Sequence, residues 1–262
     1  IPILLEINGK LIEESRRINK GVFMRMLLTL KILQIVEYFN VILASGVIVV
    51  TQGIKDYLIT LYDVDPQKIS VIANGVDIKF MRPLPVVESR AKISLDDGFF
   101  YVGYLGSLHS WQGLRYIAEA ARLVCAQRPN VKFLIVGDGD EASWLISFIK
   151  NFKLENKIQL QPAISHDLVP LYINAMDICI SYPNKFRSGG TSPFKLYEYL
   201  ACGKPVVSAD IVGMREDFGN VIYYVEPESP EALANGLISL IDNNVEREHL
   251  GKLGRRFVEK GC

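Results

Sequence analysis

Apolar and polar positions repeat with two different periods along this chain, and the two alternate almost from end to end. Short β-branched apolar runs at residues 3–7, 47–51, 69–72, 99–105, 131–136, 158–161, 178–181, 206–209 and 221–225 predict strands. Between them, apolar residues recur every three or four positions across 22–44, 54–62, 114–127, 141–152, 168–175, 194–202 and 230–242, which predicts helices. Such alternation implies parallel sheets covered by helices, a fold whose ligands sit at the carboxyl ends of the strands. The rhythm breaks between Ile78 and Gly98, a stretch that holds Pro83, Pro85 and the cluster Asp96-Asp97-Gly98. An interdomain linker over 83–98 is therefore expected, separating a first α/β part at 1–82 from a second at 99–262.

Composition narrows this picture. The chain of 262 residues is long enough for two modest domains, and its zero formal net charge argues against a general nucleic-acid-binding surface. Cys125, Cys179, Cys202 and Cys262 are scattered without a Cys-x-x-Cys pair, so neither a disulfide framework nor a zinc site is expected and a reducing cytoplasm fits. No signal peptide is visible. The longest uncharged stretch, 38–54, is broken by Asn40, Ser45, Gly46, Thr51 and Gln52, which speaks against a membrane span. The basic, apolar run 16–34 reads first as a buried amphipathic helix with charged edges and second as a helix laid on an anionic membrane surface. A start at Ile1, directly in an apolar run, and a stop after a charged helical stretch lead to the expectation of a fragment.

The chemistry concentrates in residues 188–209, SGGTSPFKLYEYLACGKPVVSA. A polar glycine-rich loop, Gly189-Gly190-Thr191-Ser192, leads into a helix with Ser192 expected as N-cap, Pro193 at the first helical position and Gly203 at the end. Free N–H groups and the helix dipole make such an entry a phosphate site. Lys195 and Glu198 share one helical face, offering a cation for phosphate and a carboxylate for sugar hydroxyls; the simpler reading is an exposed pair worth about 0.2–0.5 kcal/mol. A second glycine turn, Gly106-Ser107, follows the strand at 99–105, and its N–H groups can approach a phosphate closely. Gly137-Asp-Gly139 formally opens a dinucleotide fingerprint ending at Ala142, but Asp138, Asp140 and Glu141 would repel a pyrophosphate. His109 is the histidine best placed to touch phosphate or acceptor.

The stretch LYEYLACGKPVV resembles the donor-binding helix of family-4 glycosyltransferases, retaining enzymes of the GT-B fold. Pro193, Lys195, Glu198 and Tyr199 reproduce the branch with a Pro-x-Lys-x-x-Glu-Tyr pattern, while Gly190 stands where many members carry a first glutamate. Gly106, Ser107, Trp111 and Gly113 are similar to a Gly-Ser-x-x-x-Trp-x-Gly subgroup, with Ser107 and Gln112 where other members place an arginine and a lysine. The resemblance implies an α/β fold of two Rossmann-like parallel-sheet domains, the first incomplete, with the acceptor-side domain at 1–82 and the nucleotide-sugar domain at 99–262. It implies transfer of a sugar from a UDP- or GDP-type donor to a saccharide or lipid-linked hydroxyl, with retention, no metal and no cofactor beyond the nucleoside diphosphate sugar. Lys195, Glu198, Gly106, Ser107, Gly189, Gly190, Thr191, Ser192 and Glu216 are the donor-binding residues it implies. The catalytic residue stays unassigned and is expected before Ile1, so this fragment alone is expected to be inactive. Polysaccharide or glycolipid assembly, in the cytoplasm or at the inner membrane face, is the setting it implies. Open alternatives are a GT-B nucleotide-sugar epimerase and a non-catalytic α/β scaffold with a degraded site.

Overall fold

The β-branched runs pair into two parallel sheets in the computed structural model, which describes residues 2–10, 23–187, 189–190 and 192–261. The first sheet joins β1 (Leu4–Ile7), β2 (Gly46–Val49) and β3 (Ile69–Val71) in that order. Helices α1 (Phe23–Leu43) and α2 (Gln52–Tyr62) pack beside it, and Val41, Val47, Val49, Ile54, Leu58 and Ile69 interlock in the core between them. Thr51, expected as the end of a strand, instead caps α2: its Oγ1 accepts from the Ile54 N–H at 3.2 Å, so the helix starts earlier than the apolar periodicity predicts. The expected amphipathic helix at 16–34 is corrected in α1, residues 16–22 lying outside the described residues. Leu30, Glu37 and Val41 turn inward, while Ile32, Ile35, Val36, Phe39 and Leu43 are exposed, because apolar residues surround this helix on all sides. Buried Glu37 accepts from the hydroxyls of Tyr62 (2.6 Å) and Tyr57 (3.1 Å). Among the described residues, no helix is long and apolar enough to cross a membrane.

The second sheet contains β4 (Phe100–Leu105), β5 (Val131–Val136), β6 (Ile158–Gln161), β7 (Ile178–Ser181), β8 (Val206–Ala209) and β9 (Tyr223–Val225). Their spatial order is β6-β5-β4-β7-β8-β9, all parallel, so the winding reverses between β4 and β7. Every residue of β7 and β8 is buried, as expected for strands covered on both faces. The other helices of the chain are α3 (Val86–Lys92), α4 (Leu114–Gln127), α5 (Ala142–Asn151), α6 (Val169–Ala175), α7 (Phe194–Ala201), α8 (Met214–Phe218), α9 (Pro230–Asp242) and α10 (Asn244–Gly261).

The chain divides into two compact units, but not where its prolines suggest. Unit one holds Ile1–Asn74 together with Ser188–Ser192 and Val212–Asp217; unit two holds the rest. Residues 83–98, expected as a linker, lie inside unit two and carry α3. The reason is a buried arginine: Arg90 Nε donates to the Ala175 carbonyl at 3.0 Å, and its guanidinium pairs with Asp177 at 2.6 Å and Asp97 at 2.9 Å. Arg255 of α10 then secures residues 78–81, donating to the carbonyls of Ile78, Met81 and Ala201. Breaking a buried pair leaves its partner uncompensated. Replacing Arg90 by Met should therefore cost about 3 kcal/mol in urea unfolding, whereas Asp97→Asn at the exposed end should cost less than about 1 kcal/mol.

Candidate functional site

At the carboxyl end of β4 the strand keeps β5 but loses β7 on its other side, since that ladder pairs only Val102 with Ile178 and Gly103 with Cys179. Leu105 takes a side chain as partner instead. Its N–H donates to the Tyr199 hydroxyl at 2.8 Å, and that hydroxyl donates back to the Leu105 carbonyl at 3.0 Å. Tyr199 is fully buried on α7 and so fixes this helix against the sheet. Pro193, not Ser192, occupies the N-cap position of α7, because its φ of −69° and extended ψ of 117° already set the entry. Cys202 and Gly203, the latter at φ 69°, end the helix as its sequence predicts.

One turn before Tyr199, Lys195 reaches the end of β4. Its Nζ donates to the Tyr104 hydroxyl at 2.9 Å and to Gln112 Oε1 at 2.8 Å, and lies 4.3 Å from the Tyr104 ring centre. The Tyr104 hydroxyl donates to the Ser107 carbonyl at 2.7 Å, and Gln112 Nε2 to Ser107 Oγ at 3.4 Å. Gly106, at φ 151°, makes room: a Cβ there would stand 2.9 Å from Lys195 Nζ. The structure thus brings Lys195, Gly106 and Ser107 together at the point where the sheet's winding reverses, the usual ligand position in this class of sheet. Burial pushes the Lys195 ammonium down to about 7; Glu198 opposes that shift and Arg187 adds to it. Glu198 is raised by its own burial, with His166 and Lys195 pulling the other way. Burial likewise raises Tyr104.

Gly189, Gly190, Ser192 and Glu216 belong to unit one, and Thr191 lies outside the described residues. There the Gly189 N–H donates to the Val212 carbonyl at 2.6 Å, Thr51 Oγ1 to the Gly189 carbonyl at 3.4 Å, and Asn74 Nδ2 to the Ser192 carbonyl at 2.8 Å. Glu216 accepts from the Gly213 N–H at 3.0 Å, closing the turn into α8. Beside it, burial and Glu216 raise the Asp217 carboxyl to about 6. His109 pairs with Asp140 at 2.6 Å and stacks on Trp111 at 4.3 Å. The Gly137-Asp-Gly139 turn is stitched to the glycine loop: the Leu108 N–H donates to the Asp138 carbonyl at 2.8 Å, and a Cβ on Gly137 would meet the Gly106 carbonyl at 1.9 Å. Sequence reasoning named Tyr199 in the motif without its bond to Leu105, and it missed Tyr104 and the role of Gln112. The available signal was a tyrosine two positions before a loop glycine and another immediately after Glu198.

With this geometry in place, comparison with known proteins decides the family. Residues 86–257 match the model of glycosyl transferases group 1, and residues 25–80 match that of glycosyltransferase family 4. The chain belongs to the group 1 glycosyltransferases. The D-inositol 3-phosphate glycosyltransferase of Frankia alni is 30% identical over 182 residues, covering 66% of this chain and 44% of its own length. The chain accordingly spans about half the length of the curated relatives it matches. Anabaena HepE, solved with UDP and glucose, superposes with a TM-score of 0.77 at 21% identity over 99% of this chain and 67% of its own. Sucrose-phosphate synthase from Thermosynechococcus elongatus gives 0.79 at 21% identity over 98% and 63%. The fold is GT-B type, as the resemblance in the sequence implied.

Two consequences can be measured. Tyr199→Phe removes the hydroxyl that ties α7 to Leu105 and should lower unfolding stability by about 1–3 kcal/mol. Gly106→Ala should push the Lys195 ammonium toward solvent. Because burial is what depresses this group, its NMR-monitored titration should then move up from about 7 toward the ordinary lysine value.

Proposed function

We propose that the complete protein transfers a sugar from a nucleoside diphosphate sugar to a hydroxyl of a saccharide or lipid-linked acceptor, with retention and without a metal, and that unit two carries donor-binding residues. The observation behind this reading is the Lys195 ammonium held at the winding reversal of a doubly wound sheet. A cation there is suited to the charge that develops on a departing diphosphate, and its partly dry surroundings strengthen that interaction. Glu198, one turn along α7, is assigned to the ribose hydroxyls, and the Gly106 and Ser107 N–H groups to the phosphates. Gly189, Gly190, Thr191, Ser192 and Glu216 are kept as donor contacts on the resemblance alone. UDP is favoured as the nucleotide because HepE was solved with UDP and glucose; GDP remains the second choice. The acceptor class follows the relatives, among them the capsular polysaccharide biosynthesis glycosyltransferase CapM of Staphylococcus aureus. Activation of the acceptor hydroxyl is assigned to none of these residues, and peripheral membrane contact stays attached to the exposed apolar face of α1.

Calorimetric titration with UDP, GDP, ADP and NAD, each beside its nucleoside, tests the reading. UDP or GDP should bind. Lys195→Ala should weaken that binding roughly 10- to 100-fold while leaving the nucleoside unchanged; equal losses for both would remove the phosphate role. NAD binding would overturn the donor assignment. Glu198→Gln should weaken UDP but not its 2′,3′-dideoxy analogue, and turnover of the complete enzyme should be the same in magnesium and in EDTA.

A further inference from the structure

Four residues around the glycine loop close a ring of hydrogen bonds, Ser107 taking part through both its carbonyl and its hydroxyl. Lys195 donates to Tyr104 and Gln112, Tyr104 donates to the Ser107 carbonyl, and Gln112 donates to Ser107 Oγ. A lysine stem is long and freely rotating, so an ammonium without fixed acceptors has no defined position. Here two of its three hydrogens are engaged by oxygens that are themselves anchored to one loop. The residue type at position 112 is restrictive. A base there would repel an ammonium less than 3 Å away, and a carboxylate would neutralise it; an amide oxygen holds the cation without cancelling its charge.

We propose that Gln112 is a positioning residue, whose amide oxygen, together with the Tyr104 hydroxyl, fixes the Lys195 ammonium for contact with the donor diphosphate. This rests on the donor-site reading above. Burial and the charges of Glu198 on its own helix and Arg187 ahead of that helix act on the Lys195 ammonium, and the Tyr104 hydroxyl on β4 accepts its hydrogen bond. Since burial already depresses the ammonium, loss of the Gln112 acceptor should make the proton easier to lose. A carboxylate in its place should make it harder to lose.

The test titrates UDP and uridine into this chain and its Gln112→Leu, Gln112→Glu and Lys195→Ala variants between pH 6.5 and 9. Lysine-selective NMR follows the Lys195 titration without nucleotide, and melting curves confirm that each variant is folded. Phosphate ionisation is common to all variants and cancels in the comparison. Gln112→Leu should weaken UDP roughly 10-fold, leave uridine unchanged, and move both the Lys195 titration and the fall in UDP affinity to lower pH. Gln112→Glu should move both to higher pH and weaken UDP at pH 6.5, where the added carboxylate opposes the ligand's charge. Parental UDP affinity and an unmoved Lys195 titration in both Gln112 variants, with Lys195→Ala still losing UDP, would overturn the positioning role and leave the donor site standing. Retention of UDP affinity by Lys195→Ala, or no UDP binding by the parent, would sink the donor reading and this proposal with it.

Discussion

The hydroxyl of Tyr199 joins the chemistry to the scaffold. The β4–β7 ladder stops at Gly103, and buried backbone groups that lose a strand partner must find another. At Leu105 both the N–H and the carbonyl are satisfied by one phenol carried on α7. The helix is therefore set by sheet geometry rather than by its own cap, which is only a proline. Lys195 inherits that registration four residues earlier on the same helix, and the glycine at 106 leaves the space the lysine head occupies.

Charge in this cluster is scarce. Lys195 sits among a phenol, an amide and a loop carbonyl, so its proton is loosely held, and an arriving anion would favour the protonated form. Glu198 shows the mirror effect, its carboxyl raised by the same dry surroundings. Groups of opposite sign that both resist ionisation when the site is empty become better charged partners when a ligand supplies the missing charge and hydroxyls.

Much of this architecture was readable as periodicity, because buried parallel strands are short β-branched runs and their crossover helices repeat every three to four residues. What periodicity does not encode is partnership across the chain. Pro83 and Pro85 read as punctuation, yet Arg90 just after them and Asp177 almost ninety residues away make the region part of a packed unit. Thr51 has the β-branched look of a strand end, and only its contact with Ile54 reveals a cap. Motif resemblance points to Lys195, Glu198 and the Gly106-Ser107 turn, and the structure brings Lys195 to that turn. It does not point to Tyr104, since an aromatic residue beside a strand end looks like ordinary core, and it gives Tyr199 only as a motif residue, without its bond to Leu105. Gln112 was read as a missing base, whereas its significance is as an acceptor. The assignment of Gly189 and Gly190 to unit one was invisible for the same reason: it depends on Val212 and Thr51, distant in sequence.

Arg255 carries an implication for how the protein is made. Its guanidinium serves carbonyls at Ile78 and Met81, the former 177 positions earlier in the chain. On a ribosome adding about 5–20 residues per second, those carbonyls wait roughly 10–35 s for their donor. Through that interval the segment leading out of unit one has no helix α10 to rest on, and the sheet of unit two is synthesised strand by strand ahead of the element that locks its entrance. A ribosome that stalls shortly before Arg255 therefore leaves the sheet of unit two made while the carbonyls of Ile78 and Met81 still lack their guanidinium partner.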